Sequence, residues 1–211
     1  KIFFAGHKYF FKFIEMYYKK LDIDDFQSIQ KKVVEYITKF ITDDVNVSEE
    51  KFSEKVSFNF ISDEDLRKFK EDIPELFECI RRELGSEVPY MAYVYIDEVE
   101  ALALHTDGDN SIKRRIRLHW PILNETSAET VYYKRKKENV DSIHHAFKSG
   151  VNGHQYDPDD VYEVDRYILD VPTLNSVKEI HGVDVISDKL PRILLTMRLS
   201  NEEEIYQKYF N

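Results

Sequence analysis

A single cysteine, Cys79, leaves the 211-residue chain unable to form a disulfide within itself. That usage suits a reducing compartment, so the cytoplasm is the expected location. Basic residues are in deficit too: 30 Lys and Arg against 40 Asp and Glu give a formal charge of −10. Binding to duplex nucleic acid requires a basic face, so nucleic acid is not an expected partner. Long apolar runs are missing, because Lys, Asp or Glu interrupts every stretch well short of a membrane span, and no membrane partner is expected. No internal repeat and no low-complexity tract is found. At this length, with 42% hydrophobic residues, the chain can bury its own core without a metal or disulfide. One domain, 1–211, is expected.

The periodicity divides the chain in two. The aromatic segment Lys1–Lys20 is broken by Lys8, Lys12 and Glu15, no small-residue cleavage site follows it, and it reads as a core-packing helix. From Asp24 to Phe40, the residues Phe26, Ile29, Val33, Ile37 and Phe40 recur at helical spacing. Ser62 followed by Asp63, Glu64 and Asp65 has the form of a capped helix start. Leu66, Phe69, Ile73, Phe77, Ile80 and Leu84 carry that helix's apolar stripe, Pro74 bends or splits it, and Gly85 closes it. Residues 1–88 are therefore expected to be a helical part packed outside a sheet. After Pro89 the period changes to that of strands, expected at Tyr90–Val99, Ala101–Leu104, Lys113–Leu123, Thr130–Tyr133, Val161–Leu169, Ser176–Val185 and Arg192–Leu199. Short strands with few helices between them indicate an antiparallel sandwich or barrel over 89–200, followed by a helical tail at 201–211. The fold class is thus α+β with a mainly β core. Glu138–Asp160 reads as a long loop or short insert over one end.

The sharpest local feature is His105-Thr106-Asp107, ahead of Gly108. Residues two apart on a strand point to one side, so the imidazole and carboxylate can converge on one ion; a third ligand must come from elsewhere. A surface turn at Asp107-Gly108-Asp109-Asn110 also explains the aspartate. Further on, His181-Gly182-Val183 precedes Pro191-Arg192, eleven positions separating His181 from Arg192. Arg192, Leu194 and Thr196 alternate with Ile193, Leu195 and Met197, so guanidinium and hydroxyl share a strand face suited to a carboxylate. Taken singly, Arg192 reads as a surface ion pair and His181 as a satisfied strand histidine. In this order and on these strands, the four residues together favour a site. On Lys113–Leu123, Arg115, Arg117 and His119 share one face, and Ile116, Leu118, Trp120 and Ile122 the other. Arg114 and Arg115 are read as solvent-exposed and Trp120 as core. Lys134, Arg135, Lys136 and Lys137 read as a solvated strand end, with anion recruitment as the alternative. His144, His145 and His154, irregularly spaced in a polar loop, read as solvated side chains, with a second metal cluster as the alternative.

These motifs resemble the iron(II)- and 2-oxoglutarate-dependent oxygenase superfamily over about Tyr90–Ser200. The elements that carry the resemblance are His105-Thr106-Asp107-Gly108, Arg117-Leu118-His119-Trp120-Pro121-Ile122, His181-Gly182-Val183 and Pro191-Arg192 through Thr196. It implies a double-stranded β-helix, or jelly roll, with flanking N-terminal helices. It further implies that His105, Asp107 and His181 ligate Fe(II), that Arg192 and Thr196 anchor 2-oxoglutarate, and that dioxygen is consumed. Arg117-Leu118-His119 is similar to the Arg-x-His element of the aspartyl/asparaginyl β-hydroxylase branch, whose side chains face cosubstrate and substrate. That branch typically lacks the carboxylate ligand present here as Asp107, and the match is also similar to prolyl-hydroxylase-like enzymes. For His119 a carboxylate-binding role and simple barrel packing both stand. Asn175, in Pro172-Thr173-Leu174-Asn175-Ser176-Val177, is an alternative distal ligand, although imidazole is the better donor for iron(II).

The expected activity is hydroxylase-type oxidation of a C–H bond in an amino acid, peptide or small metabolite. Two other readings stand beside it: a cupin-like metal enzyme without 2-oxoglutarate, and a non-catalytic jelly-roll binding module. An arginine deep in a barrel weighs against the first, because it is costly without an anion. A converging ligand set weighs against the second.

Overall fold

The computed structural model of the chain describes residues 16–47, 56–96, 102–107, 115–138, 142–146 and 152–211. In chain order the elements are β1 (Tyr18–Lys20), α1 (Phe26–Val47), β2 (Val56–Phe60), α2 (Asp63–Asp72), α3 (Pro74–Leu84), β3 (Tyr90–Ile96), β4 (Leu102–Asp107), β5 (Ile116–Leu123), β6 (Ala128–Arg135), β7 (Ile143–Ala146), β8 (Asn152–Gln155), β9 (Val161–Ile168), β10 (Thr173–Ser176), β11 (Ile180–Val185), β12 (Arg192–Arg198) and α4 (Glu202–Phe210).

The helices begin and end where side chains supply the missing backbone partners. Ser62 Oγ accepts the Asp65 amide at 3.1 Å to start α2. Pro74 takes the first turn of α3, where no amide donor is needed, so the apolar stripe of 62–84 is split into two helices. Gly85 closes α3 at φ 61°, a left-handed conformation that costs a side-chain-bearing residue about 1 kcal/mol or more.

The strands form two antiparallel six-stranded sheets, ordered β1-β10-β5-β12-β3-β2 and β7-β8-β4-β11-β6-β9. The first sheet has two very different faces. Ile116, Leu118, Trp120, Ile193, Leu195 and Met197 pack on Val33, Ile37, Phe69, Leu76 and Ile80 of the helices. Each such side chain, fully buried, contributes roughly 1.5–3 kcal/mol. Gln30 of α1 stitches helix to sheet, donating to Pro121 O at 2.7 Å and accepting from Trp120 Nε1 at 2.5 Å. The alternate residues Arg117, His119, Arg192, Leu194 and Thr196 must then face the second sheet, and the space between the sheets is where the polar residues gather.

Several expectations change. The part of Lys1–Lys20 that is described contains no helix: Tyr18–Lys20 is a strand paired with Thr173–Asn175, while residues 1–15 lie outside the described residues. Residues 56–60 add a second edge strand to the part expected to be helical. Glu138–Asp160 is not a loop throughout, since β7 and β8 form an antiparallel pair that extends the second sheet beyond β4. Ser176–Val185 is two strands in different sheets, β10 ending at Ser176 and β11 beginning at Ile180. The Asp107–Asn110 turn and Arg114 fall largely outside the described residues. No helix among the described residues is long and apolar enough to cross a membrane.

Candidate metal centre

β4 and β11 lie side by side, and their register sets His105 opposite His181. Directly opposed residues project from one face, and Asp107, two residues along β4, projects from that face as well. One ligand atom each from His105, Asp107 and His181 lies within 4.8 Å of the others, and this is the group with ligand spacing among the described residues. The two imidazole centroids are 4.4 Å apart, and His105 Nε2 stands 3.6 Å from Asp107 Oδ1. The Asp107 amide donates to Val177 O at 2.9 Å, tying the end of β4 to the β10–β11 connection.

His181 is oriented from behind. Its Nδ1 meets the Glu179 carbonyl at 2.9 Å, which assigns the proton to Nδ1 and leaves the Nε2 lone pair for an ion. Burial, and then the neighbouring His105, depress its pKa to about 4, so the ring is neutral at ordinary pH. A neutral imidazole is the form that ligates.

From the facing sheet, His119 on β5 is registered with Thr196 on β12. Its pKa is depressed to about 3, mainly by burial and then by His181 and Arg192, with Asp107 acting the other way. One imidazole thus feels both the ligand group and the arginine, and its residue surface is only partly covered. Arg192 is 1% exposed, and its Nε and Nη1 have no hydrogen-bond partner. Burial lowers its pKa, partly offset by Tyr167 and Glu125. Thr196 is buried on the same strand face. The surface ion pair that a lone arginine suggests is therefore not what this residue makes.

Arg117 takes a different course. Its Nη1 reaches Glu202 Oε1 of α4 at 3.2 Å and the Ile116 carbonyl at 3.0 Å, so a buried guanidinium is tied to the C-terminal helix. Glu202 also accepts Arg198 Nε at 3.1 Å. Asn175 is held within the fold: its Oδ1 accepts Tyr132 OH at 3.1 Å and also Tyr167 OH, and its Nδ2 donates to Thr173 O at 2.9 Å. Tyr132 and Tyr167 were not distinguished by the sequence, because nothing local separates them from Tyr133 or Tyr162 on the same strands. Tyr132 nonetheless sits with its ring centroid 6.1 Å from that of His181.

The remaining candidates are occupied elsewhere. Arg135 lies over Tyr156 and donates to its hydroxyl at 2.9 Å, and Lys136 donates to the Asp159 carbonyl at 2.8 Å. Arg115 pairs with Glu203 at 2.5 Å. His154 Nδ1 is 3.1 Å from Ser142 Oγ, and the side chains of His144 and His145 lie outside the described residues.

No family model matches the chain, and no curated protein matches it in sequence. Solved structures do resemble it in shape. The epimerase SnoN, in complex with Fe3+, alpha ketoglutarate and nogalamycin RO, superposes with a TM-score of 0.50 at 11% identity, covering 85% of this chain and 77% of SnoN. HygX from Streptomyces hygroscopicus, with nickel and 2-oxoglutarate bound, gives 0.43 at 11% identity over 78% of this chain and 76% of HygX. Vicilin from Capsicum annuum gives 0.33 at 15% identity, over 71% of this chain and 30% of vicilin. At such identities the likeness to SnoN speaks for the fold alone, and the two lower scores carry no weight.

Proposed function

We propose that the chain is an Fe(II)- and 2-oxoglutarate-dependent oxygenase of hydroxylase type, built on a double-stranded β-helix. The strand order supports the fold: β10-β5-β12-β3 faces β4-β11-β6-β9, and from β3 to β6 and again from β9 to β12 successive core strands alternate between the sheets. The observation that carries the function is Arg192. A guanidinium this buried, with two nitrogens unpartnered, is costly unless an anion completes it. It shares a chamber with two imidazoles and a carboxylate, a donor set that suits iron(II) and leaves coordination positions for a bidentate cosubstrate and dioxygen. A dicarboxylate with a keto group next to one carboxylate satisfies both ends at once.

When bound, iron(II) with 2-oxoglutarate supplies the dioxygen chemistry, the cosubstrate leaving as succinate and carbon dioxide. The chain's own work is positional. His105, Asp107 and His181 hold the metal, and the Glu179 carbonyl keeps the His181 ring turned toward it. Arg192 grips the far carboxylate, and the Thr196 hydroxyl adds a donor. His119, neutral and facing both groups, can donate one hydrogen bond to bound carboxylate without adding charge. Arg117, tied to Glu202, also bears electrostatically on His119. An apolar jacket of Leu194, Tyr132, Tyr167 and Leu169 lines the neighbouring interior and excludes water.

Two measurements test the reading. Wild-type protein takes up one equivalent of iron(II) or manganese(II), and His105→Ala, Asp107→Ala and His181→Ala each lose it. Iron-loaded wild type then converts 2-oxoglutarate to succinate. Unchanged metal stoichiometry in the three variants overturns the centre. Intact metal uptake with no 2-oxoglutarate binding moves the chain to the cupin-like reading without that cosubstrate.

A further inference from the structure

The register of the second sheet reaches beyond the ligands. β8 runs along the side of β4 away from β11, setting Gln155 opposite His105 and Gly153 opposite Asp107. Across β11 and β6, His105 is opposite His181, and His181 is opposite Tyr132. Residues directly opposed in antiparallel strands project from one face with Cβ atoms about 4.5–5.5 Å apart. Tyr132, His181, His105 and Gln155 thus form one transverse row over four strands.

The other face of the sheet confirms the side. Tyr156 and Ile180 are buried there in a cluster with Leu104 and Tyr133 packed against it. Each of these four is the chain neighbour of a member of the row, so by alternation the row looks into the chamber. Gln155 is half-buried, and among the described residues its carboxamide has no hydrogen-bond partner. The carboxamide is not sealed from solvent, and it offers two N–H donors and a carbonyl to an incoming ligand. Gly153 adds no side chain beside Asp107, so beside the ligand group β8 presents the Gln155 side chain alone.

We propose that Gln155 is the substrate-positioning residue of this site, its carboxamide holding an amide of the substrate one strand spacing from His105. The assignment rests on reading His105, Asp107 and His181 as the metal centre. The partner is neutral because the chamber's charges already have counterparts: Asp107 serves the metal and Arg192 the cosubstrate carboxylate. An amide uses both halves of the carboxamide, N–H to substrate carbonyl and carbonyl from substrate N–H. Among amino acids, peptides and small metabolites, the choice falls on peptide-like amides.

The test reads proximity to the metal, with no turnover required. Manganese(II)-loaded protein broadens the proton resonances of a small molecule held near the ion. With 2-oxoglutarate saturating, N-acetylglycinamide is the probe, and acetate and ethylammonium are charged controls. Wild type broadens the amide in preference to both controls. Gln155→Leu binds the amide about fivefold more weakly, the size of one net hydrogen bond, with manganese and 2-oxoglutarate affinities unchanged. Gln155→Glu shifts the preference to ethylammonium. Equal broadening of the amide by wild type and Gln155→Leu, with metal and 2-oxoglutarate still bound, overturns the role of Gln155. Failure of wild type to take up manganese overturns the centre beneath it.

Discussion

Arg192 is expected to weaken the fold and to be needed for the ligand, and the variant Arg192→Met separates the two effects. Methionine keeps the unbranched length, removes the charge and removes the two donors that have no partner, Nε and Nη1. Each unsatisfied buried donor costs about 1–3 kcal/mol, and replacing a buried ion by an apolar side chain of similar volume is often stabilising by roughly 1–4 kcal/mol. With some packing lost, a net gain of about 2 kcal/mol is expected, or roughly 4–8 °C in Tm for a chain of this size. The ligand response runs the other way. At 2-oxoglutarate one hundred times Kd, wild type gains about 2.7 kcal/mol. Truncating one partner of a buried charge pair costs about 2–5 kcal/mol, so at the same concentration the variant gains less than about 1 kcal/mol. Thermal melts of cobalt(II)-loaded wild type and variant, each with and without 2-oxoglutarate, read all four states. A variant less stable than wild type without ligand, yet shifted as far with it, would refute the reasoning and make Arg192 a structural residue.

Two further outcomes follow from the same chamber. Asn175→Ala keeps full metal uptake but leaves the Tyr132 hydroxyl without its acceptor and weakens that of Tyr167, so stability falls by about 2–3 kcal/mol, roughly 5–10 °C by calorimetry. Loss of the metal in this variant would return Asn175 to the ligand set. His119 has a folded pKa near 3, below the 6.5 of the unfolded chain, so the unfolded state takes up a proton first as the medium is acidified. The stability it contributes is complete above about pH 6.5 and is lost as pH falls toward 3. Chemical denaturation between pH 7 and 5 should therefore show a shallower decline in metal-free His119→Gln than in metal-free wild type, and parallel curves would contradict the buried neutral ring.

Legibility in the sequence followed the range of the interactions. Ser62, Pro74 and Gly85 act within a turn of their own position, and their effects on α2 and α3 were readable residue by residue. The strands Tyr90–Ile96, Ile116–Leu123 and Arg192–Arg198 were readable because one face meets helices and the other an interior, which writes period two into the chain. β1 has three residues and exists by pairing with β10, about 150 positions away, so no local pattern announces it. β7 and β8 are four residues each, rich in His, Asn and Gly, and they are an edge pair added to β4. The break between β10 and β11 falls at Val177-Lys178-Glu179, which contains none of the Gly, Pro, Asn or Asp that mark a turn.

The same distinction explains the site. His105 and Asp107 sit two apart on one strand, a spacing that strand geometry alone turns into convergence. That His181 completes the group depends on β11 lying beside β4, which only the fold supplies. The converse holds for Arg117. Its alternation with Leu118 correctly put it on the inward face, yet Glu202, 85 positions later, captures it for the C-terminal helix. Face assignment therefore told which residues could enter the chamber, and hydrogen-bond accounting told which were still uncommitted once there. Asn175 is held by three hydrogen bonds within the fold and Arg117 by Glu202 and the Ile116 carbonyl, while Arg192 keeps two nitrogens unpaired. For Arg192, sealed from water with two unpaired nitrogens, a ligand would offset the cost of burial, whereas half-buried Gln155 carries no such cost and is simply available to one.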